Sequence, residues 1–242
     1  MPLTLMELKR YSFIVVLLAV ASCQTYDKLQ RFQGDALGTS YTLLYLDTAP
    51  NEIVSDSIDA VFLRMNQSMS TYWPNAIISK VNRDEAVRVD PDFKEVFQTA
   101  KNIWEQTDGY FDPTVGALVN AYGFGPTKSL AQIDQDAVDS LLNFTGFDKV
   151  SLLSDGSITK ARKNIYLDFN AIAKGYAVDR AIAILKQHGV ANAAVNAGGD
   201  MYLLGQRMER AWRIGIQHPR EEKGVLETVQ ISNRAVVTSG DY

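Results

Sequence analysis

One cysteine, Cys23, and two histidines, His188 and His218, are the only thiol and imidazole ligands in this 242-residue chain. A disulfide framework and a thiolate metal site are thereby excluded, and the folded part must be held by its core. With His188 close to a helix end and His218 beside Pro219, neither a HExxH zinc helix nor a Ser-His-Asp triad can be assembled, and both histidines read as surface residues. The spacings GxxxxGK(S/T) and GxGxxG are missing, and "GFGPTK" places its glycines and lysine at the wrong offsets. There is no internal repeat and no glycine- or proline-rich linker. At 46% hydrophobic and 21% charged residues the composition carries no disorder signature, and a single domain is the expectation.

The N-terminus is a unit apart. Lys9 and Arg10 precede "YSFIVVLLAVAS", an apolar run too short to span a bilayer and of the right length for a signal-peptide core. It ends at Cys23 behind "VAS", which resembles the bacterial lipobox with Val20 in place of the commoner leucine; the plainer reading of Cys23 is an inert buried thiol. The expected division is a lipoprotein signal peptide over 1–22, a short tether over 23–31 and one domain over 32–242. Such a chain is exported and membrane-anchored, on the periplasmic side in a Gram-negative cell, with several acyl chains on Cys23 giving stable attachment. Cleavage leaves 22 Lys+Arg against 27 Asp+Glu, a net charge of −5 that argues against nucleic acid as a partner.

Periodicity predicts mixed elements. "TSYTLLYLD" has strand character, and 53–69 carries Val54, Ile58, Val61, Phe62, Met65 and Met69 at helical spacing. Asp90 and Pro91 read as an N-cap and first helical residue, with Phe93, Val96, Phe97, Ala100, Ile103 and Trp104 as the apolar stripe and Gly109 past the end. A short helix is expected over 134–143, then strand segments around an Asp155-Gly156 turn, then a helix stopped by Gly189 and a run of short strands from Ala191 onward. Helices interleaved with largely antiparallel strands indicate an α+β fold.

Polar clusters interrupt this pattern. The stretch "LDFNAIAKGYAVDRAIAIL" reads as a strand end entering a helix, and it crowds Asp168, Asn170 and Lys174 into the junction. One of these could cap the helix; a cap does not account for all three. Asp112 could cap a helix beginning at Pro113, and Tyr72 could be an ordinary loop aromatic before Pro74.

Taken in order, "ALGTSYTL", "MSTYWPNAIISKVN", "FDPTVGALVNAYGFG", "LDFNAIAKGYAVD", "VNAGGD" and "VVTSGDY" resemble the successive signature blocks of the ApbE-type FAD:protein FMN transferases. The resemblance implies a single ApbE-like α+β domain that moves FMN from FAD to a threonine or serine hydroxyl of an acceptor protein and releases AMP, with magnesium as cofactor. It places dinucleotide contacts on Leu37, Tyr72, Tyr110, Phe111, Asp112, Asp168 and Lys174, and a backbone metal ligand at Ala171. Leu37 departs from the family's usual methionine while keeping its bulk. Gly198 and Gly199 would let backbone approach the ligand where a Cβ would not. Lys174, unfavourable near a positive helix end alone, suits a bound anion there. No residue is assigned as catalytic acid or base.

The family pattern continues past the point where this sequence stops, through a histidine-containing HI-x-D/N-P segment and then an aspartate and a threonine at the metal. The 242 residues are therefore expected to be a fragment, and a poor transferase alone. Other readings of the same residues are an FAD pyrophosphatase giving FMN and AMP, a non-catalytic FAD-binding lipoprotein, and a surface adhesion module whose polar clusters only cap helices and turns.

Overall fold

The computed structural model describes residues 28–127, 129–220 and 224–239. Cys23, the apolar run before it and most of the expected tether lie outside the described residues. The first described element corrects the tether's boundary. Strand β1 (Lys28–Ala36) pairs along its whole length with β2 (Thr39–Asp47), from Lys28 opposite Asp47 to Ala36 opposite Thr39, so residues 28–31 are sheet. Their strand character is hard to read because β1 is an edge strand: Phe32, Gly34 and Ala36 turn inward while Arg31, Gln33 and Asp35 stay exposed, and few apolar residues mark the inward side.

Three further strands, β5 (Ala193–Ala197), β6 (Asp200–Leu204) and β9 (Arg234–Val237), complete a five-stranded sheet in the order β1-β2-β5-β6-β9. Every neighbouring pair in it is antiparallel. Strand alternation sends Tyr41, Leu43 and Tyr45 of β2 and Ala193, Val195 and Ala197 of β5 into the core. Helices α1 (Glu52–Met69) and α6 (Asn170–Gln187) cover that face. The buried side of α6 is largely small, Ala173, Ala177 and Ala181 among larger residues, so the helix lies close on the sheet. Helix α3 (Pro91–Gln106) packs on α1 and α6 as an outer layer. There Phe93 meets Phe169 edge-on at 5.2 Å between ring centroids and Phe97 meets Phe147 at 4.8 Å.

Smaller elements close the structure. Helices α2 (Ile77–Asn82), α4 (Gly116–Ala121) and α5 (Gln135–Leu142) lie in the connections, and β3 (Val150–Leu152) and β4 (Ile158–Lys160) form a hairpin around Asp155-Gly156 as predicted. Strands β7 (Trp212–Gln217) and β8 (Val225–Ile231) form a separate two-stranded sheet, pinned to the main one by the Trp212 indole donating to the Leu204 carbonyl at 3.0 Å.

Two local expectations are corrected. The segment before α6 is not a sheet strand: Tyr166 makes only an isolated bridge to Val115, and the backbone of Leu167 is satisfied on both sides by the Asn82 side-chain amide, at 2.8 and 2.9 Å. A single asparagine thus does the work of a neighbouring strand. No helix starts at Pro113 either. The Asp112 carboxylate folds back onto the Thr114 amide at 2.7 Å, and α4 begins only at Gly116.

The start of α3 agrees with its reading. Asp90 Oδ1 accepts from the Phe93 amide at 2.7 Å and from the Ser68 hydroxyl at 3.1 Å, so one carboxylate caps α3 and ties it to the end of α1. Replacing Asp90 by Ala is expected to destabilise the fold by about 1–2 kcal/mol in urea unfolding, with Asp90→Asn recovering most of it.

Candidate active site

Two turns define one end of the sheet. Leu37 and Gly38 join β1 to β2, Gly198 and Gly199 join β5 to β6, and all four have left-handed φ, at 43°, 83°, 56° and 96°. Tight hairpins with the sheet's own twist require such φ, and glycine supplies it without cost. Leucine does not, so Leu37 is a strained position of the kind that collects at functional sites. It is held there by Asn66, whose Oδ1 accepts from the Leu37 amide at 2.8 Å. Asn66 is 5% exposed in the middle of the apolar face of α1. A buried polar residue at core spacing, between Phe62 and Met69, was the available signal for it.

Tyr72 arrives from the loop after α1 and lies against the same turn: a Cβ on Gly38 would sit 3.5 Å from the Tyr72 ring. Its hydroxyl donates to the Phe124 carbonyl at 3.0 Å, and about half of the side chain remains open to solvent. The adjoining hydroxyls of Ser70 and Thr71 are buried with no hydrogen-bond partner among the described residues. Buried polar atoms are normally paired, so these two hydroxyls mark the loop as shaped for something besides its own packing.

The 110–116 loop and the start of α6 form the opposite wall. The Asp168 amide donates to the Pro113 carbonyl at 2.8 Å, and a Cβ on Gly116 would fall 2.5 Å from the Tyr166 ring and 3.2 Å from Asp168 Cβ. Gly116 is therefore required by close approach alone. Asp112 faces inward: one carboxylate oxygen accepts from the Thr114 amide and hydroxyl, the other from the Trp104 indole at 3.2 Å and the Phe147 amide at 3.1 Å. This committed carboxylate fixes the loop's shape and leaves the loop backbone to meet a ligand. Phe111 is half-buried against the core, whereas Tyr110 is 97% exposed. Tyr110 thus stands apart from the walls that gather the other expected contacts.

Asp168, at the junction with α6, is buried, and its carboxylate accepts from the Asn170 amide at 2.7 Å and the Asn170 side chain at 3.1 Å. Burial pushes its pKa above the ordinary carboxylate value, with the Asn170 bonds opposing. Asp200, first residue of β6, is also buried and also raised by desolvation, with Lys174 pulling it back. A Cβ on Gly175 would come 4.0 Å from Asp200 Oδ2, which places this carboxylate against the first turns of α6. No hydrogen bond among the described residues reaches it. In the sequence Asp200 stands only as the last residue of the "VNAGGD" block, with nothing local to single it out.

Charge divides the surroundings. A cavity of about 530 Å³ beside the Leu37 turn is lined by Asp35, Asp56, Asp59, Leu63, Asn66 and Trp73, an acidic wall that would repel phosphate. The cation at the site is Lys174, on the α6 side. An anionic ligand would therefore place its charge toward α6 and its apolar part toward Tyr72 and Leu37.

With these walls in place, a family model described as "ApbE family" matches residues 37–242. The chain belongs to the ApbE family. It is 31% identical to the FAD:protein FMN transferase of Haemophilus influenzae, covering 95% of this chain and 70% of the relative, and 31% identical to that of Vibrio cholerae, covering 93% and 70%. Against the Escherichia coli FAD:protein FMN transferase the identity is 27%, over 87% of this chain and 63% of the relative. Among solved structures the flavin transferase ApbE of Vibrio cholerae superimposes with a TM-score of 0.80 at 28% identity, covering 89% of this chain and 72% of that one. The flavinyl transferase ApbE of Pseudomonas stutzeri gives 0.77 at 29%, covering 90% and 71%. The ApbE α+β architecture is thus the fold of this chain.

The raised pKa of Asp168 has a stability consequence. A carboxyl that is more basic in the folded than the unfolded state contributes stability below its unfolded pKa of about 3.8 and loses that contribution as pH rises through the folded value. At neutral pH the ionised Asp168 opposes folding, so Asp168→Asn is expected to raise the melting temperature at pH 7. The gain should shrink toward zero as pH falls through the raised pKa, and calorimetry of both proteins across that range tests it. An unchanged or lowered melting temperature at pH 7 would contradict the assignment.

Proposed function

We propose that this chain carries the FMN-transfer site of an FAD:protein FMN transferase. The observation that carries the reading is a pair of buried, desolvated carboxylates, Asp168 at the start of α6 and Asp200 beside the same helix with Lys174 acting on it, at the end of the sheet whose turns have left-handed φ, in a member of the ApbE family. In the reaction an acceptor threonine or serine oxygen attacks the FMN phosphorus of FAD. The new P–O bond forms as the pyrophosphate P–O bond to AMP breaks, and AMP leaves as a phosphate monoester.

The chain's own residues bind and orient. Lys174 pairs with the pyrophosphate, an anion that makes a cation near the positive helix start favourable. Tyr72 and Leu37 offer a ring face and apolar bulk to the flavin or adenine, and the 111–116 backbone, shaped by Asp112, lies along the dinucleotide. The buried Asp168 accepts hydrogen bonds from the ligand in addition to those of Asn170.

Magnesium fits the donors present in chemical type. The Ala171 carbonyl lies in the exposed first turn of α6, the Asp200 carboxylate stands beside that helix, and both are hard oxygens. Among the described residues no group of three or more His, Cys, Asp or Glu could hold a metal alone, and magnesium characteristically keeps water and substrate phosphate in its shell. When bound it would supply Lewis-acid neutralisation of pyrophosphate charge.

We place the protein on the exported side of a membrane, held by lipid on Cys23. Cys23→Ser is expected to abolish incorporation of labelled palmitate in bacteria, and retained labelling would refute the assignment.

Transfer itself is tested by incubating the protein with FAD, magnesium and an acceptor bearing a target threonine, and reading covalent flavin fluorescence after denaturing electrophoresis. Lys174→Ala is expected to weaken FAD binding by roughly 10–100-fold, the range of a charge-assisted contact, and Asp168→Ala to suppress labelling. FMN and AMP formed at the same rate without acceptor would instead indicate an FAD pyrophosphatase, and tight FAD binding without turnover a storage protein.

A further inference from the structure

The sheet has a second end, and it differs in character from the first. The site turns at Leu37 and Gly198 occupy one end. At the other lie Lys28, where the described chain begins, Asp47, Ala193, Leu204 and Arg234, as the strand registers require. The nine residues of β1 separate the two ends by about 30 Å at strand rise. At this far end the chain leaves β6 and makes a tight turn in which the Arg207 amide donates to the Arg210 carbonyl at 2.7 Å and the Arg210 amide to the Arg207 carbonyl at 3.1 Å. Its two central residues, Met208 and Glu209, both have left-handed φ, at 48° and 63°, a conformation that ordinary side chains resist.

What the strained turn accomplishes is exposure. Met208 is 64% exposed at its tip, with Arg207, Arg210 and Arg213 around a groove of about 420 Å³. Among the described residues none of these three arginines lies within ion-pair distance of a carboxylate, and Glu209 is the one acidic residue within the turn. Arg234, opposite Leu203 at the start of β9, and Lys186, in the last turn of α6, add exposed positive charge at the same end. Asp47, opposite Lys28, lies at this end too, but in a chain of net negative charge the clustering of arginines that make no ion pair among the described residues around an exposed methionine is not its average surface.

We propose that this end is a membrane-facing surface that docks on anionic phospholipid headgroups, with the arginines at the phosphates and Met208 at the headgroup boundary. The chain itself argues for this occupant. Cys23 and the apolar run before it precede Lys28 by so few residues that an extended connection spans only about 17 Å, so any anchorage of that segment brings this end against the bilayer. Each basic side chain at an anionic surface adds about fivefold to binding, so the arginines turn a loose tether into a fixed orientation. The FAD site then faces away, held roughly one sheet length above the membrane. The inference concerns orientation and stands apart from the chemistry proposed for the site.

The test is hydrogen exchange followed by mass spectrometry on the full chain, bound through its own N-terminal segment to vesicles of phosphatidylcholine alone or mixed with phosphatidylglycerol. Exchange in residues 206–213 is expected to slow in the mixed vesicles by roughly tenfold or more, and to recover on raising salt to about 0.5 M. Residues 122–127, near the site, should exchange alike in both. Replacing Arg207, Arg210 and Arg213 by Glu, or by Gln as a milder second variant, should remove the protection while FAD affinity in solution stays unchanged. Equal exchange in both lipids, protection centred on the site end, protection surviving both triple variants, or protection induced only by an added acidic polypeptide would each overturn the proposal. FAD titration of the same variants keeps a failure here distinct from a failure of the transferase reading.

Discussion

The antiparallel pairing of β2 with β5 is the contact on which the rest depends. It sets Tyr41 opposite Ala197, and so brings the turn after β1 beside the turn after β5, although the two are far apart in sequence. The same pairing aligns the apolar residues of both strands under α1 and α6. A slip of one residue would move that apolar set to the opposite face and separate the two turns. Core and site are thus specified by one register, and the hydrophobic cost of losing the register protects the geometry of the groove.

Within that frame the site carries local costs that the fold tolerates. Leu37 sits at a φ that glycine would adopt freely, Ser70 and Thr71 bury hydroxyls that find no partner among the described residues, and Asp168 and Asp200 are carboxylates whose ionisation burial opposes. None of these improves packing. Each makes sense if a polar ligand supplies the missing partners and charge, which is how binding free energy becomes selective for that ligand. Asp112 differs in kind. All of its hydrogen-bonding capacity is directed inward, toward Trp104, Thr114 and Phe147, so it shapes the loop.

The two ends of the sheet divide the labour. One end holds Lys174 and the buried carboxylates Asp168 and Asp200. The other holds the emerging N-terminal segment and the arginines around Met208. Strand length separates them, and α6 runs the same span with Ala171 and Lys174 in its first turns and its C-terminus at the opposite end.

Helix stripes, caps and strand alternation were legible because they depend on local spacing: the Asp90 cap of α3, the apolar face of α1 and the Gly189 stop of α6 stand where their residues place them. The ordered blocks shared with the ApbE family were legible for the same reason. Tertiary structure alone decided the remainder. It paired residues 28–31 into an edge strand whose alternation is nearly all polar, used Asn82 as a substitute strand for Leu167, turned Asp112 inward, left Tyr110 in solvent, and brought Asp200 beside α6. The sequence by itself determined which segments could bury an apolar face, since periodicity is a property of neighbours along the chain. Only the folded structure decided which polar residues meet, because hydrogen-bond partners and burial are set by distances between elements that no local spacing records.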